Sequence, residues 1–158
     1  KCLYNSLLYI NRNNAETKRY QEEGLKLLSG KVDSLPSKIA FRPKFIKQSS
    51  CIKVFDKLYL FISKANIKKP VEERFDALFH EIGHWLHFQN IPPLKECREV
   101  WKNANLEKIK EDVSEYAVKK DDGREFVAEV FKGLVKGKKY DEYIMNLYKR
   151  LHGPIPHD

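Results

Sequence analysis

The chain has 158 residues, 42% hydrophobic and 33% charged, which is enough for one globular core and too few for two comfortable ones. No apolar run approaches a membrane span and no charged and apolar leader marks a signal peptide, so no transmembrane segment is expected. The net charge of +8 is uneven: through Lys69 there are 15 Lys and Arg against 5 Asp and Glu, and beyond it 15 against 17. A basic first half suits an acidic substrate, a nucleic acid or an anionic membrane surface, although dispersed lysines read first as a solvated face.

A chain that opens on Lys1 reads as one domain, 1–158, excised from a longer parent. Residues 1–50 form a helical and extended basic lead-in, with a helix over Ala15–Leu28 ending at Gly30, an extended segment over 38–41, and Pro36 and Pro43 as punctuation. Tyr4, Tyr9, Tyr20, Phe41 and Phe45 are interleaved with this charge but lack ribonucleoprotein-type spacing, so nucleic acid is not an expected partner. Cys2, Cys51 and Cys97 have no metal-pair spacing, and their odd number argues against a disulfide framework.

Residues 51–89 should hold a hairpin and a metal-binding helix. Two β-rich runs, 51–55 and 58–62, flank a tight turn at Asp56 and Lys57. An exposed Leu58-Tyr59-Leu60-Phe61-Ile62 edge would invite aggregation unless covered, which makes this second strand the candidate for holding an extended peptide. A helix is expected over 71–89. Val71, Phe75, Leu78, Phe79, Ile82 and Leu86 give an apolar stripe, Pro70 and the acids Glu72, Glu73 and Asp76 mark its start, and Pro92-Pro93 forbid its continuation.

On that helix lies His80-Glu81-Ile82-Gly83-His84, the His-Glu-x-x-His pattern. At 3.6 residues per turn His80 and His84 stand one above the other and can share one zinc ion. Glu81 is beside that face, placed to take a proton from zinc-bound water and pass it to a leaving amine. A catalytic zinc needs a third protein ligand and one open position. The pattern that continues to a further histidine fails here, because His87 and Asn90 stand at its positions. His87 remains on the right face one turn along, as a ligand or a rim residue.

Residues 90–158 should be helical, with helices over 94–108, 124–134 and 141–151, a loop over 114–123 and an irregular tail over 153–158. Glu125 and Glu129 share a face at i and i+4 among Phe126, Val127, Val130, Phe131 and Leu134, and carboxylates on so apolar a helix need a reason. Glu125 as third ligand and Glu129 as orienting partner of a ligand histidine supply one, with His87 or Glu129 next in line as ligand.

His-Glu-x-Gly-His followed by Glu125-Phe126-Val127-Ala128-Glu129-Val130-Phe131 and preceded in that second half by Ser114-Glu115-Tyr116-Ala117 resembles the catalytic domain of anthrax lethal factor and its relatives. These include the Pro-Pro endopeptidases and metallopeptidase-like domains of phage and toxin proteins. The resemblance covers about residues 52–134. It implies a gluzincin-type metallopeptidase with one catalytic zinc held by His80, His84 and Glu125, Glu81 as general base and Tyr116 as hydroxyl donor to the oxyanion. Tyr140 and Tyr143 are the alternative donors. A phenol near zinc can stabilise charge on a scissile carbonyl, although the turn 119–123 is longer than the relatives' interval. It also implies a secreted or injected effector or a phage-associated parent.

The resulting expectation is an α+β, zincin-like domain with a small mixed sheet, an active-site helix and a helical C-terminal half, acting as a zinc endopeptidase on peptide or protein substrates. The alternative is a catalytically weak or inactive metallopeptidase-like structural or adaptor module that keeps zinc for folding.

Overall fold

A computed structural model describes residues 14–158; Cys2, Tyr4 and Tyr9 lie outside them. The fold is α+β: a small mixed sheet followed by helices. Helix α1, Ala15–Leu28, starts where expected because Asn14 and Thr17 form a reciprocal cap, the Asn14 side chain accepting from Thr17 N–H at 2.9 Å and the Thr17 hydroxyl from Asn14 N–H at 2.9 Å. Tyr20 and Leu28 turn its buried face to the core.

Strands β1, Ala40–Arg42, β2, Ser50–Val54, and β3, Lys57–Ser63, form a sheet in the order β1-β3-β2. β1 runs parallel to β3 and β2 antiparallel. The hairpin turn lies one residue earlier than expected. Val54 pairs with Lys57, so Phe55 and Asp56 make the turn, and Phe55 takes φ 54 and is 93% exposed.

The middle position of β3 corrects the expected peptide-binding strand. Its residues Lys57–Phe61 pair with β2 and Phe61–Ser63 with β1, and Leu60, Phe61 and Ile62 are buried. Neither Leu58, Tyr59 nor those three lines the cleft described below. The apolar run found cover inside the sheet rather than from a ligand, and among the described residues β1 and β2 are the edge strands.

A short 3-10 helix over Lys64–Lys68 leads through Pro70 to α2, Asp76–Phe88. This helix begins five residues later than the periodicity predicts. The 71–75 segment forms tight turns, with Glu73 N–H bonded to Pro70 C=O at 2.9 Å and Asp76 N–H to Glu73 C=O at 3.1 Å. The helix expected over 94–108 is two helices, α3, Leu94–Lys102, and α4, Leu106–Asp112. Asn103 and Asn105 explain the break: Asn105 caps α4 by accepting from Lys108 N–H at 3.1 Å, and its own N–H donates to the Tyr143 hydroxyl at 2.7 Å.

A second 3-10 helix, Tyr116–Val118, precedes α5, Arg124–Val135, and α6, Glu142–Arg150. Gly123 enters α5 at φ 77, where an added Cβ would stand 2.7 Å from a Leu151 methyl. Helices α2 and α5 pack face to face and approach closely at Gly83 and Ala128, where an added Cβ on Gly83 would lie only 3.2 Å from Ala128 Cα. The core around them gathers Phe41, Leu78, Ile82, Phe126, Phe131 and Tyr148. Among the described residues no helix is long and apolar enough to cross a membrane.

Candidate metal centre

The i, i+4 geometry of α2 stacks His80 and His84, and the close α2–α5 approach brings Glu125 against both. Its Oε2 lies 3.0 Å from His80 Nε2 and its Oε1 3.0 Å from His84 Nε2. One donor atom from each of the three residues lies within 4.8 Å of the others. Both histidines are buried, and only 13% of the Glu125 side chain is exposed.

Glu129, one turn after Glu125, reaches the other side of the same imidazole, with His80 Nδ1 2.8 Å from its Oε2. That carboxylate is itself fixed. Ser114 Oγ donates to its Oε1 at 2.8 Å, and Lys132 Nζ lies 2.9 Å from Oε2. Burial alone would raise the Glu129 carboxyl, but hydrogen bonds from His80 and Lys132 outweigh it and hold it at about 2. Glu125 is held well below the carboxylate range in the same way, its burial overcome by hydrogen bonds from both histidines. Burial opposes a charged His80 ring, yet the two carboxylates lift it to about 9. The carboxylates on both sides of the ring thus favour its charged form.

The donor set fits zinc. Two imidazole nitrogens and one carboxylate oxygen are ligand types zinc prefers, and three protein donors leave one position open. Glu129 also supplies the acceptor behind a ligating histidine that fixes its tautomer and orientation. His84 Nδ1 is the unmatched feature, buried with no partner among the described residues.

Beside this group opens a cleft of about 480 Å³, lined by Gln48, Ser49, Ser50, Cys51, Glu81, His84, Phe88, Tyr116, Lys119, Lys120, Arg124 and Glu125. Glu81 lies 7% exposed in its wall, and its Oε2 has no hydrogen-bond partner among the described residues. Burial raises its carboxyl, with His84, His80 and Arg42 pulling the other way. Tyr116 is 43% exposed, its ring edge-on to His80 with centroids 5.4 Å apart. The expected donor thus borders the cleft. Tyr140 and Tyr143 do not: Tyr143 holds Asn105, and the Tyr140 hydroxyl packs over Gly133.

His87 is not a ligand. It is fully buried and its Nε2–H donates to Leu151 C=O at 2.7 Å, tying α2 to the end of α6. Burial depresses this imidazole to about 4, so it is a neutral core histidine. Glu129 likewise stands behind His80 rather than beside the other donors.

Sequence reasoning missed Arg42. The last residue of β1 is 7% exposed, with Nη1 donating to Gln48 C=O and Nη2 to Ser50 Oγ, each at 2.8 Å, and its guanidinium over the Phe61 ring at 5.0 Å. It shapes the 48–50 segment that borders the cleft and stands close enough to Glu81 to favour the carboxylate. A charged residue ending the apolar run Ile39-Ala40-Phe41 was the only sequence signal. Cys51 and Cys97 are free thiols, and burial pushes Cys51 up to about 12.

No protein-family model matches the chain. Neither a curated protein nor a solved structure matches it.

Proposed function

We propose that the protein is a zinc-dependent endopeptidase in which Glu81 is the general base. The observation that carries this reading is the convergence of His80, His84 and Glu125 at the wall of an open cleft that also holds the buried Glu81, whose Oε2 has no hydrogen-bond partner among the described residues. When bound, zinc would polarise the scissile carbonyl and acidify a water held beside it.

The chain's own residues then divide the work. Glu81 takes the proton from that water as its oxygen bonds to the carbonyl carbon, and returns it to the amine nitrogen as the C–N bond breaks. A carboxyl whose proton affinity is raised by burial is suited to both transfers. Glu129 holds the His80 ring through Nδ1, and Tyr116 borders the space where charge develops on the carbonyl oxygen. Among the described residues the outer edge of β2 pairs with no strand, and its backbone groups near Ser50 and Cys51, which line the cleft, are offered to an extended peptide. The zincin-like architecture, and kinship with lethal factor and the Pro-Pro endopeptidases, belong to this proposal and rest on the motifs at 80–84, 114–117 and 125–131.

The test is metal content by mass spectrometry together with cleavage of a peptide library, on the wild type and Glu81→Gln. One zinc in each and cleavage by the wild type alone is the expected result. Zinc in both with no cleavage would favour the adaptor module, and no zinc in either would refute the metal site.

A further inference from the structure

The cleft has a charge asymmetry that the hydrolytic centre does not use. Its strand wall, Gln48 to Cys51, carries no charged side chain, while the opposite wall carries Lys119, Lys120 and Arg124. Arg124 is committed, with Nε and Nη2 each 3.0 Å from Oδ2 of the buried Asp122. Lys119 and Lys120 are exposed on the turn between the Tyr116–Val118 helix and α5, and among the described residues neither has a carboxylate within ion-pair distance. The ammonium of Lys119 stands over the Tyr116 ring at 4.9 Å.

The same turn contains two acids that would neutralise these lysines if they paired with them. Asp122 is turned inward under Arg124, while Asp121 shares with Lys119 and Lys120 the wall of a second cleft over α3, where it lies 3.9 Å from Arg98 and, among the described residues, within ion-pair distance of neither lysine. The carboxylates that line the cleft, Glu81 and Glu125, belong to the proposed centre. Two lysines therefore line the same cleft as Ser50 and Cys51 of β2, with no carboxylate in ion-pair distance among the described residues.

We propose that Lys119 and Lys120 make the cleft selective for peptides carrying Asp or Glu close to the scissile bond. This rests on the peptidase reading above. A lysine side chain spans about two residues of an extended strand at roughly 3.3 Å per residue, which confines the preferred acid to about three residues from the cleaved bond. Exposed pairs are weak, each contributing at most about a fivefold preference. Two at one rim, with steering of acidic peptides and repulsion of basic ones, give an expected preference of about tenfold at low salt, shrinking as salt screens it.

The experiment uses two pools of fluorescein-labelled, degenerate decapeptides, identical except that every Asp and Glu of one is Asn or Gln in the other. Wild type should cleave the acidic pool about tenfold faster at 50 mM salt, and Lys119→Gln/Lys120→Gln should bring the ratio to about two or less, with circular dichroism verifying its fold. A wild-type ratio near one, or a ratio unchanged in the double variant, overturns the inference. If neither pool is cleaved the peptidase reading fails, and the lysines are then judged by binding alone. Both pools are titrated by anisotropy onto zinc-loaded Glu81→Gln protein with and without the two lysine substitutions. Tighter binding of the acidic pool that disappears with the lysines upholds the selectivity, and equal binding of both pools overturns it.

Discussion

Replacing Gly83 with alanine tests the helix contact that assembles the proposed metal centre. On helix propensity alone the change should stabilise α2 by about 1 kcal/mol. The new Cβ, however, would lie 3.0 Å from Phe131 Cδ1, 3.2 Å from Ala128 Cα and 3.3 Å from Phe131 Cβ. Ordinary carbon contacts lie at about 3.5–4.0 Å, so the helices must part by roughly half an ångström or Phe131 must tilt. Phe131 and Ala128 are both fully buried and have nowhere to go. Overpacking of this kind costs about 1–3 kcal/mol, which leaves the variant less stable by up to about 2 kcal/mol after the propensity gain. Metal affinity should suffer more than stability, because Glu125 lies one turn before Ala128 and metal–ligand distances tolerate only about 0.2 Å. Urea denaturation of the chelator-treated protein reads the first effect, and zinc competition with a chromophoric chelator the second. A variant about 1 kcal/mol more stable with unchanged zinc affinity would refute the view that Gly83 spaces the two helices.

Glu125→Ala should weaken zinc binding more than Glu129→Gln, since the first deletes a donor and the second only the partner of His80 Nδ1, a change that typically costs 10–100-fold. Chelator competition on both variants decides the order, and its reversal would exchange the two roles. The metal-free protein should also lose stability on both sides of neutrality. His87 holds its folded value near 4 against 6.5 unfolded, so the unfolded chain binds the extra proton between those values and stability, complete above 6.5, falls by up to about 3 kcal/mol as the pH drops towards 4. His80 has the opposite sign: raised to about 9, it contributes fully below 6.5 and loses that contribution as the pH rises through 9. Urea midpoints across pH 4–9.5 should show both limbs, with the stretch from 6.5 to 4 flattened in His87→Gln; an unaltered acid limb in that variant would show that another group sets it.

Local patterns in the sequence predict what depends on a few consecutive residues. The helix read over Ala15–Leu28 with Gly30 beyond it is observed at those ends, and the helix read over 141–151 is found at Glu142–Arg150, within a residue at each end. They fail where a local preference is overruled by a neighbour. The acids at 72, 73 and 76 resemble a first helical turn, yet the segment after Pro70 closes as tight turns before Asp76. The apolar run at 58–62 resembles an exposed edge only while the parallel pairing of β1 with β3, which crosses some twenty residues, is unknown. His87 shows the same limit within one helix: spacing puts it near the ligand face, but the Leu151 carbonyl that claims it comes from the far end of the chain.

The centre itself divides along that line. The pair on α2 and the pair on α5 are each legible as an i, i+4 arrangement, because each is a property of one helix. Their junction spans 45 residues from His80 to Glu125 and requires two backbones to approach where Gly83 meets Ala128. The approach gives His80 a carboxylate at each ring nitrogen. Such a ring is costly to bury as an isolated cation but stable between two anions, and a divalent ion entering on the Nε2 side would replace one proton while Glu129 keeps its hold on the other. The contacts of His80 with Glu125 and Glu129 thus hold the proposed donors in register for a metal, and zinc binding there should be accompanied by proton release, read as a fall in pH of a weakly buffered solution.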